Sequence, residues 1–598
     1  MNPGSSQVEV VWRDMTVESA DGQSEQSVIV NRVHGKIAPY TMVALIGPSG
    51  AGKTTMLNSI TGKSREGLRV SGELLLNGNF VDPRVWEHAV GFVGEHLYEY
   101  ETQTVKETLS FATTMMRGGT CDEIDAGVYE LAQTLGLIKT LDTRIGLIST
   151  GEKARLSLGI ALIKRPAILI IDEIMNDLDQ STAVHILEIL HEIKQQGKGI
   201  MIAFQKVPCD VLEFFDSIMM ICQGEIVFSG GVNECLRFFA SRGYRPGELQ
   251  NVSEFLGSVL TVNVSDVVSE ESEQQRIEAM KRCWKQVEPP VVSSIIAQID
   301  CPVVFDRTLQ KFMMIFRRNI LDFFRKTEFL KIVGVQKMTT LVMLVFVYFR
   351  LDYTQNGIRD RFGILSFIVI NCFEKTVTVS IMVFEAHRKV IKREICTGMY
   401  GTTVSYFAML VSSFTTSGLS NLAYTAVVYW MVGLNPRFDR FVFFLVILIA
   451  ALVFSISFAM LVALNTKTHV QAQILGSTII TSFVIFGGTF VNPDTIPGFI
   501  RWAIWLSPIY YAFEAMLQNQ FKGMLFECDL SGRECMPDGD QALQFYGFKR
   551  IGTGLSTGIL FLSTAVCVLL GVASMRTVIK PRIGEKDFEN RSEMAGRI

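Results

Sequence analysis

The sequence predicts an α/β phosphate-loop domain followed by an all-α membrane domain of six transmembrane helices. Three observations carry this. A glycine-rich loop, Gly-Pro-Ser-Gly-Ala-Gly-Lys-Thr-Thr at 47–55, follows the apolar run Met42–Ile46 and precedes a helical pattern from Lys53. Apolar stretches of roughly 20 residues, the length that crosses a bilayer core, recur only after about residue 329. A chain of 598 residues that is 48% hydrophobic, with a mean hydropathy of +0.30, is too long for one core and too apolar for a wholly soluble protein.

In the first half, Val8–Trp12 and Ser27–Val30 read as short strands, and Met42–Ile46, Leu74–Leu76, Gly91–Val93, Ile168–Ile171 and Gly199–Phe204 as further strands. Helices are expected at Val105–Met116, Ile124–Leu135 and Thr182–Gln195. The continuous apolar run at 168–171 is what a parallel strand covered on both faces requires. These boundaries give a nucleotide-binding domain at 1–244 and a polar linker at 245–304 ending near Pro289 and Pro290. Met1–Met15 is polar and lacks a signal-peptide pattern, so the chain is expected to begin in the cytosol.

From 305 to 328, Leu309, Phe312, Met313, Phe316, Ile320, Phe323 and Phe324 share one helical face, ringed by Lys311, Arg317, Arg318, Arg325 and Lys326. This pattern fits an interfacial connecting helix, with a soluble helix packed on the first domain as the alternative. Spans are expected at 329–349, 362–384, 406–431, 441–464, 469–490 and 555–575, within a membrane domain at 329–580. Basic residues in the expected loop Glu385–Tyr400 (Arg388, Lys389, Lys392, Arg393) and in the tail (Arg576, Lys580, Arg582, Lys586) put both on the cytosolic side, with a cytosolic tail at 581–598. Ile496–Gln518, with Pro497 and Pro508, reads as short re-entrant or interfacial helices on the outer side, followed by an outer loop at about 519–553. Cys528 and Cys535 lie in that loop, and whether they pair is left open. The eleven cysteines include no Cys-x-x-Cys pair, so a cysteine metal site is not expected. The net charge of −3 averages two unlike domains and argues neither way about nucleic acid, which is not expected as a partner. Sequons at Asn251, Asn263 and Asn590 fall in segments expected to be cytosolic.

The chemistry concentrates in the first half. In a loop of the pattern G-x-x-x-x-G-K-[ST], the backbone N–H groups of Gly47, Pro48, Ser49, Gly50, Ala51, Gly52, Lys53, Thr54 and Thr55, except that of proline, can wrap phosphates. Lys53 would contact the terminal phosphates and Thr54 would ligate Mg²⁺. Asp172, closing the apolar strand, is the expected acid beside Mg²⁺, and Glu173 is placed to orient or deprotonate the attacking water. An isolated Asp-Glu after a strand would otherwise be a helix cap. The implied cofactors are ATP and Mg²⁺.

Ile-Ser-Thr-Gly-Glu at 148–152 stands about twenty residues before Asp172, as the signature motif does in ABC ATPases, and the chain resembles that family. ATPase first and six spans second further resembles half-transporters of the G subfamily, the White-type proteins. So do Arg-Glu-x-x-x-Gly-x-Tyr at 393–400 and the aromatic, proline-broken segment before the sixth span. The resemblance implies a second half-transporter as partner, in a homodimer or heterodimer, with each ATP between one chain's phosphate loop and the other's Ser149, Gly151 and Glu152. It implies ATP-dependent transport, in the direction of export, of a lipid-like or amphipathic compound, with both termini cytosolic. It also implies roles for Glu95, as a Mg²⁺ ligand where glutamine is usual, and for Gln205, as the switch residue at the γ-phosphate where histidine is usual.

Thr150 stands where the signature usually has glycine, and Asp177 replaces a small residue in the segment Asn176–Asp179. Together these departures imply slow hydrolysis, or a regulatory half that binds ATP and works only beside a competent partner. In the second half, Glu374 and Lys375 fall inside the second span, as a substrate-path feature or a structural pair. Phe373 and Thr481 occupy positions that line the family's central cavity, although an aromatic in a span more often packs on its neighbours. Glu394 and its basic neighbours imply a link from ATPase motion to the helices, or plain anchoring. A soluble phosphate-loop enzyme with an anchor would need only one span.

Overall fold

The structure is a computed structural model that describes residues 8–19, 28–62, 67–176, 178–205, 211–246, 251–260, 276–282, 284, 307–528, 535–548 and 551–579. Asp177, Asn263, Asn590, most of 245–304 and the tail basic residues Lys580, Arg582 and Lys586 lie outside the described residues. The chain divides into two compact units, one within residues 1–306 and one within 307–580.

The first unit runs β1 (Val10–Ser19), β2 (Val28–Ile37), β3 (Met42–Ile46), α1 (Lys53–Ile60), β4 (Leu68–Leu76), α2 (Pro83–Ala89), β5 (Val90–Val93), α3 (Val105–Met116), α4 (Cys121–Thr134) and α5 (Thr150–Leu162). It continues with β6 (Ile168–Asp172), α6 (Gln180–Gln195), β7 (Gly199–Phe204), β8 (Ser217–Cys222), β9 (Glu225–Gly230), α7 (Val232–Ala240) and α8 (Val252–Val259). Strands β2-β1-β4 form an antiparallel sheet, and β5-β6-β7-β3-β8-β9 form a second sheet that is parallel except for β9. Every residue of β3, β6 and β7 is buried, as their unbroken apolar sequences require. Trp12 from the first sheet and Leu45, Ile170 and Met201 from the second share one core.

β1 and β2 are far longer than the expected strands, because alternation of buried and exposed positions continues through polar residues such as Arg13 and Lys36. The hairpin β8–β9 was not anticipated. Its turn, Gln223 and Gly224, takes positive φ at both residues (49° and 77°), the geometry of a two-residue primed turn.

The second unit contains α9 (Thr308–Arg325), α10 (Thr327–Val347), α11 (Gln355–Cys396), α12 (Thr402–Ser413), a π-helical turn (Phe414–Gly418), α13 (Leu419–Val432), α14 (Phe438–Asn465) and α15 (His469–Phe486). A 3₁₀ turn (Arg501–Leu506), α16 (Pro508–Phe521), α17 (Gly539–Phe545) and α18 (Thr553–Ile579) follow. Five of these helices, α10, α11, α14, α15 and α18, are long and apolar enough to cross a membrane. The expected span at 406–431 falls in the helical run α12–π turn–α13, which the π turn divides into pieces too short to count alone.

One expectation changes here, and two segments left open gain detail. Glu385–Cys396 is not a loop but the end of the 42-residue α11, which at 1.5 Å per residue is about 63 Å long. Its basic residues are good helix formers, and Arg388 donates to the C-terminal carbonyls Ala463 (3.1 Å) and Thr466 (2.6 Å) at the end of α14. α16, in the segment expected to form short re-entrant or interfacial helices, has all 14 of its residues buried within the protein. Cys528 and Cys535 are joined in a disulfide, with Cα atoms 5.6 Å apart.

In α9 the usual distribution is inverted. Arg318, Asn319 and Asp322 are buried, whereas Leu309, Met313 and Phe324 are exposed. Arg318 forms a two-pronged ion pair with Glu394 of α11 (2.5 and 2.7 Å), and the Tyr400 hydroxyl also donates to Glu394. Removing one partner from such a pair leaves an uncompensated buried charge, which costs about 3–5 kcal/mol. Arg318→Ala should therefore lower the melting temperature of the detergent-purified chain strongly, and Arg318→Met/Glu394→Met should recover most of the loss. Calorimetry of both variants checks this, and additive losses in the double variant would contradict it.

Candidate functional site

The site arises from strand register. Ile46 of β3 pairs with Phe204 of β7, Ala203 of β7 with Asp172 of β6, and Ile171 of β6 with Val93 of β5. All four strands run parallel, so the residues after them emerge along one sheet edge: Gly47 after β3, Gln205 after β7, Glu173 after β6 and Gly94–Glu95 after β5. Such an edge is where open α/β sheets take ligands.

The loop 47–55 is shaped by its glycines. A Cβ on Gly47 would lie 2.4 Å from the Ile221 carbonyl oxygen, and Gly52 has a φ of +97° that other residues rarely adopt. The loop delivers the chain into the N-terminus of α1, where free N–H groups and the helix dipole favour anions. Lys53 is 4% exposed; its Nζ donates to the carbonyls of Gly47 (2.8 Å) and Pro48 (3.0 Å) and pairs with Glu173 Oε1 at 3.0 Å.

Asp172 is buried at the end of β6 and accepts a hydrogen bond from the Thr54 hydroxyl. Its Oδ1 has no hydrogen-bond partner among the described residues. Burial pushes the carboxyl up to about 6, the negative charges of Glu173 and Glu95 add to this, and the Thr54 hydroxyl and Lys53 ammonium oppose it. A buried carboxylate oxygen without a donor, next to a threonine hydroxyl, is the oxygen donor set that a hard divalent cation takes. These residues fit Mg²⁺.

Glu173 sits at a φ of +51° and is anchored by Asn176, whose Nδ2 donates to Oε2 at 2.8 Å. Sequence reasoning gave Asn176 no role; the available signal was an amide three residues beyond the acid. Glu95 is half-exposed, near enough for its charge to act on Asp172. Gln205 is half-buried and follows Phe204, whose carbonyl accepts from the Gly47 N–H at 3.4 Å. Lys53, Thr54, Asp172, Glu173, Glu95 and Gln205 are thus gathered at one edge.

Ser149, Gly151 and Glu152 are not part of that cluster. Ser149 caps α5 in a reciprocal box with Glu152, its backbone N–H donating to Oε2 at 2.8 Å. Gly151 is buried against α6, where a Cβ would come within 2.5 Å of Thr182 Cγ2. Thr150 is exposed, so its side chain meets no obstacle within the chain. Among the described residues, none of these makes a hydrogen bond or ion pair with the loop 47–55. In the second unit, Phe373 is fully buried with its ring 5.9 Å from that of Phe454, and packs rather than lining a cavity. Thr481 and Glu374 are exposed. Glu374 and Lys375 form no ion pair among the described residues, so the structural-pair reading does not hold.

Residues 30–176 match the ABC transporter family, and residues 310–521 match the ABC-2 type transporter family. The chain is 28% identical over 571 residues to ABC transporter G family member 7 of Arabidopsis thaliana, covering 91% of this chain and 78% of that protein. It is 26% identical over 542 residues to Protein white of Drosophila melanogaster, covering 87% and 79%. It is 26% identical over 536 residues to the broad substrate specificity ATP-binding cassette transporter ABCG2 of Mus musculus, covering 83% and 81%. With the ATP-binding domain first, the membrane domain second and relatives drawn from the G family, the chain belongs to the ABC transporters, proteins that drive transport across membranes with ATP.

Proposed function

We propose that the chain is a half-transporter that pairs head to tail with a second half and exports a lipid-like or amphipathic compound. The observation that carries this is the split site. Phosphate-loop, acid and switch positions share one strand edge, while the exposed start of α5 at Ser149–Thr150 stands apart from them. A nucleotide held by the loop would leave a face uncovered, which the Ser149, Gly151 and Glu152 of a second chain would close. Lys53 is the residue for the terminal phosphates, Thr54, Asp172 and Glu95 for Mg²⁺, and Glu173 for the attacking water, with Gln205 facing the γ-phosphate. Mg²⁺ supplies neutralisation of the phosphate oxygens. The nucleotide-binding domain (1–244), linker (245–304), leaflet-bound helix (305–328) and membrane domain (329–580) then follow in order. Both termini are cytosolic, in agreement with the basic residues at the end of α11. The lipid-facing reading of α9 draws support from its exposed Leu309, Met313 and Phe324.

Steady-state ATPase activity of the purified chain in lipid tests this. Lys53→Ala removes both the phosphate contact and the partner of Glu173, and Glu173→Gln removes the base; each should lower turnover by about 100-fold or more. Glu173→Gln should retain ATP binding. Undiminished turnover in either variant overturns the assignment.

A second reading is favoured by the negative charge of Glu95 acting on Asp172 and by the absence of a cationic side chain at Gln205: a half that binds ATP, hydrolyses it poorly and depends on a competent partner. Gln donates a hydrogen bond but cannot carry the charge of histidine. Glu95→Gln/Gln205→His should raise the homodimer's turnover by about tenfold. An unchanged rate would show that these two positions do not limit hydrolysis.

A further inference from the structure

Lys337 is the central residue of the 21-residue α10, about 15 Å from either end, and Lys375 lies near the middle of α11. Charges at such depth are expensive and normally have a partner. Neither lysine has an ion-pair partner among the described residues. Lys337 donates to the Ser420 hydroxyl, and the Lys375 charge acts on it. Both line one cavity of about 70 Å³ between α10, α11 and the α12–α13 run. Among the described residues that line it there is no aspartate or glutamate, and Glu374, which precedes Lys375 on α11, is exposed and not part of the lining.

The rest of the wall is divided by polarity. Around the lysines stand Asn371, Ser417 and Asn421, the last tied to α11 by its Nδ2 donating to Thr376 Oγ1 at 3.1 Å. Ser417 belongs to the π turn at 414–418, a departure from α-helix that recurs at functional sites. Away from the lysines, Phe323 and Phe329 continue into a second cavity of about 160 Å³ lined also by Met382 and Met409. The charged groups there, Asp322, Lys326 and His387, are paired with one another at 2.7 and 2.9 Å.

We propose that this cavity binds an anionic amphiphile, with its carboxylate or phosphate between Lys337 and Lys375 and its hydrocarbon tail along Phe323 and Phe329. An anion there cancels the repulsion of two partly buried ammonium groups, and the neighbouring hydroxyls and amides complete its hydrogen bonds. The assignment rests on the transport reading only for its consequence, that the compound carried is negatively charged. Binding itself needs no turnover.

The full chain in phosphatidylcholine nanodiscs should bind oleate at least tenfold more tightly than oleyl alcohol. Lys337→Met/Lys375→Met should lose that preference, and Lys337→Arg/Lys375→Arg should keep it, with unchanged oleyl alcohol binding and an unchanged melting transition reporting that the membrane unit of each variant is folded. Equal affinity for the acid and the alcohol in the unaltered chain, or full oleate binding by the methionine variant, overturns the proposal. Phosphatidylglycerol added to the discs separates the sources of the anion: competition with oleate assigns the site to lipid headgroups as well, and no competition assigns it to free carboxylates. ATPase loss with oleate binding intact would count against the transport reading alone.

Discussion

The parallel register of β5, β6, β7 and β3 brings four chain segments, distant in sequence, to one sheet edge that holds a buried ammonium. Strands buried on both faces cannot carry charge along their length, so their polar residues are driven to the ends. Asp172 is the first residue of β6 free to be charged, and Glu173 must turn through a left-handed conformation to leave the strand. The result is that Asp172 feels two further carboxylates, Glu173 and Glu95, against the single ammonium of Lys53 among the described residues. That imbalance is the condition under which a divalent cation binds well, and it adds to the burial that pushes the Asp172 carboxyl up to about 6.

The second unit handles charge differently, because its surroundings on most sides are apolar. Arg361 is fully buried, and its two terminal nitrogens donate to the backbone oxygens of Leu351 and Asp352 at 3.0 and 2.7 Å rather than to a carboxylate. Arg388 closes the end of α14, where helix carbonyls lack intrahelical partners. Arg318 and Glu394 neutralise one another. In each case the guanidinium fork is matched by two or more oxygens, which a lysine could not do with the same geometry. Lys337 and Lys375 stand out against this background as charges with no ion-pair partner among the described residues.

How much was legible in the sequence followed the range of the interaction. Met42–Ile46, the loop 47–55 and Ile168–Asp172 are local signals, and each is found where the residues predicted it. The hairpin at Gln223–Gly224 lacks the usual Asn-Gly signature, so its strands carried no turn signal to divide them. The basic segment at 385–396 was read as a loop because charge was weighed above helix propensity; what keeps it helical is capping of α14 and pairing with α9, both long-range. The cavity at Lys337 could not be inferred, since it depends on a π turn 77 residues beyond that lysine (337 to 414). Neither could the role of Asn176, which becomes visible only once Glu173 has a position.

The departures at Glu95, Gln205 and Thr150 do not distribute equally in a head-to-tail pair. Glu95 and Gln205 lie on the same strand edge as the phosphate loop of their own chain, so they follow that loop into whichever composite site it enters. In the proposed pairing Thr150 would go to the opposite site, and its exposed position means that it adds bulk without disturbing the fold that presents Ser149. Exchanging Gln for Glu adds a negative charge, and exchanging His for Gln removes a positive one when that histidine is protonated. At about 4 Å one unit charge is worth about 1 kcal/mol in water and about 4 kcal/mol at the effective dielectric of a protein surface. Both changes act against the negative charge of a nucleotide in the same direction. Beside a partner with ordinary residues, one site would therefore be weakened by two charges and the other altered only by a side chain at its lid. Such a pair would be asymmetric by construction.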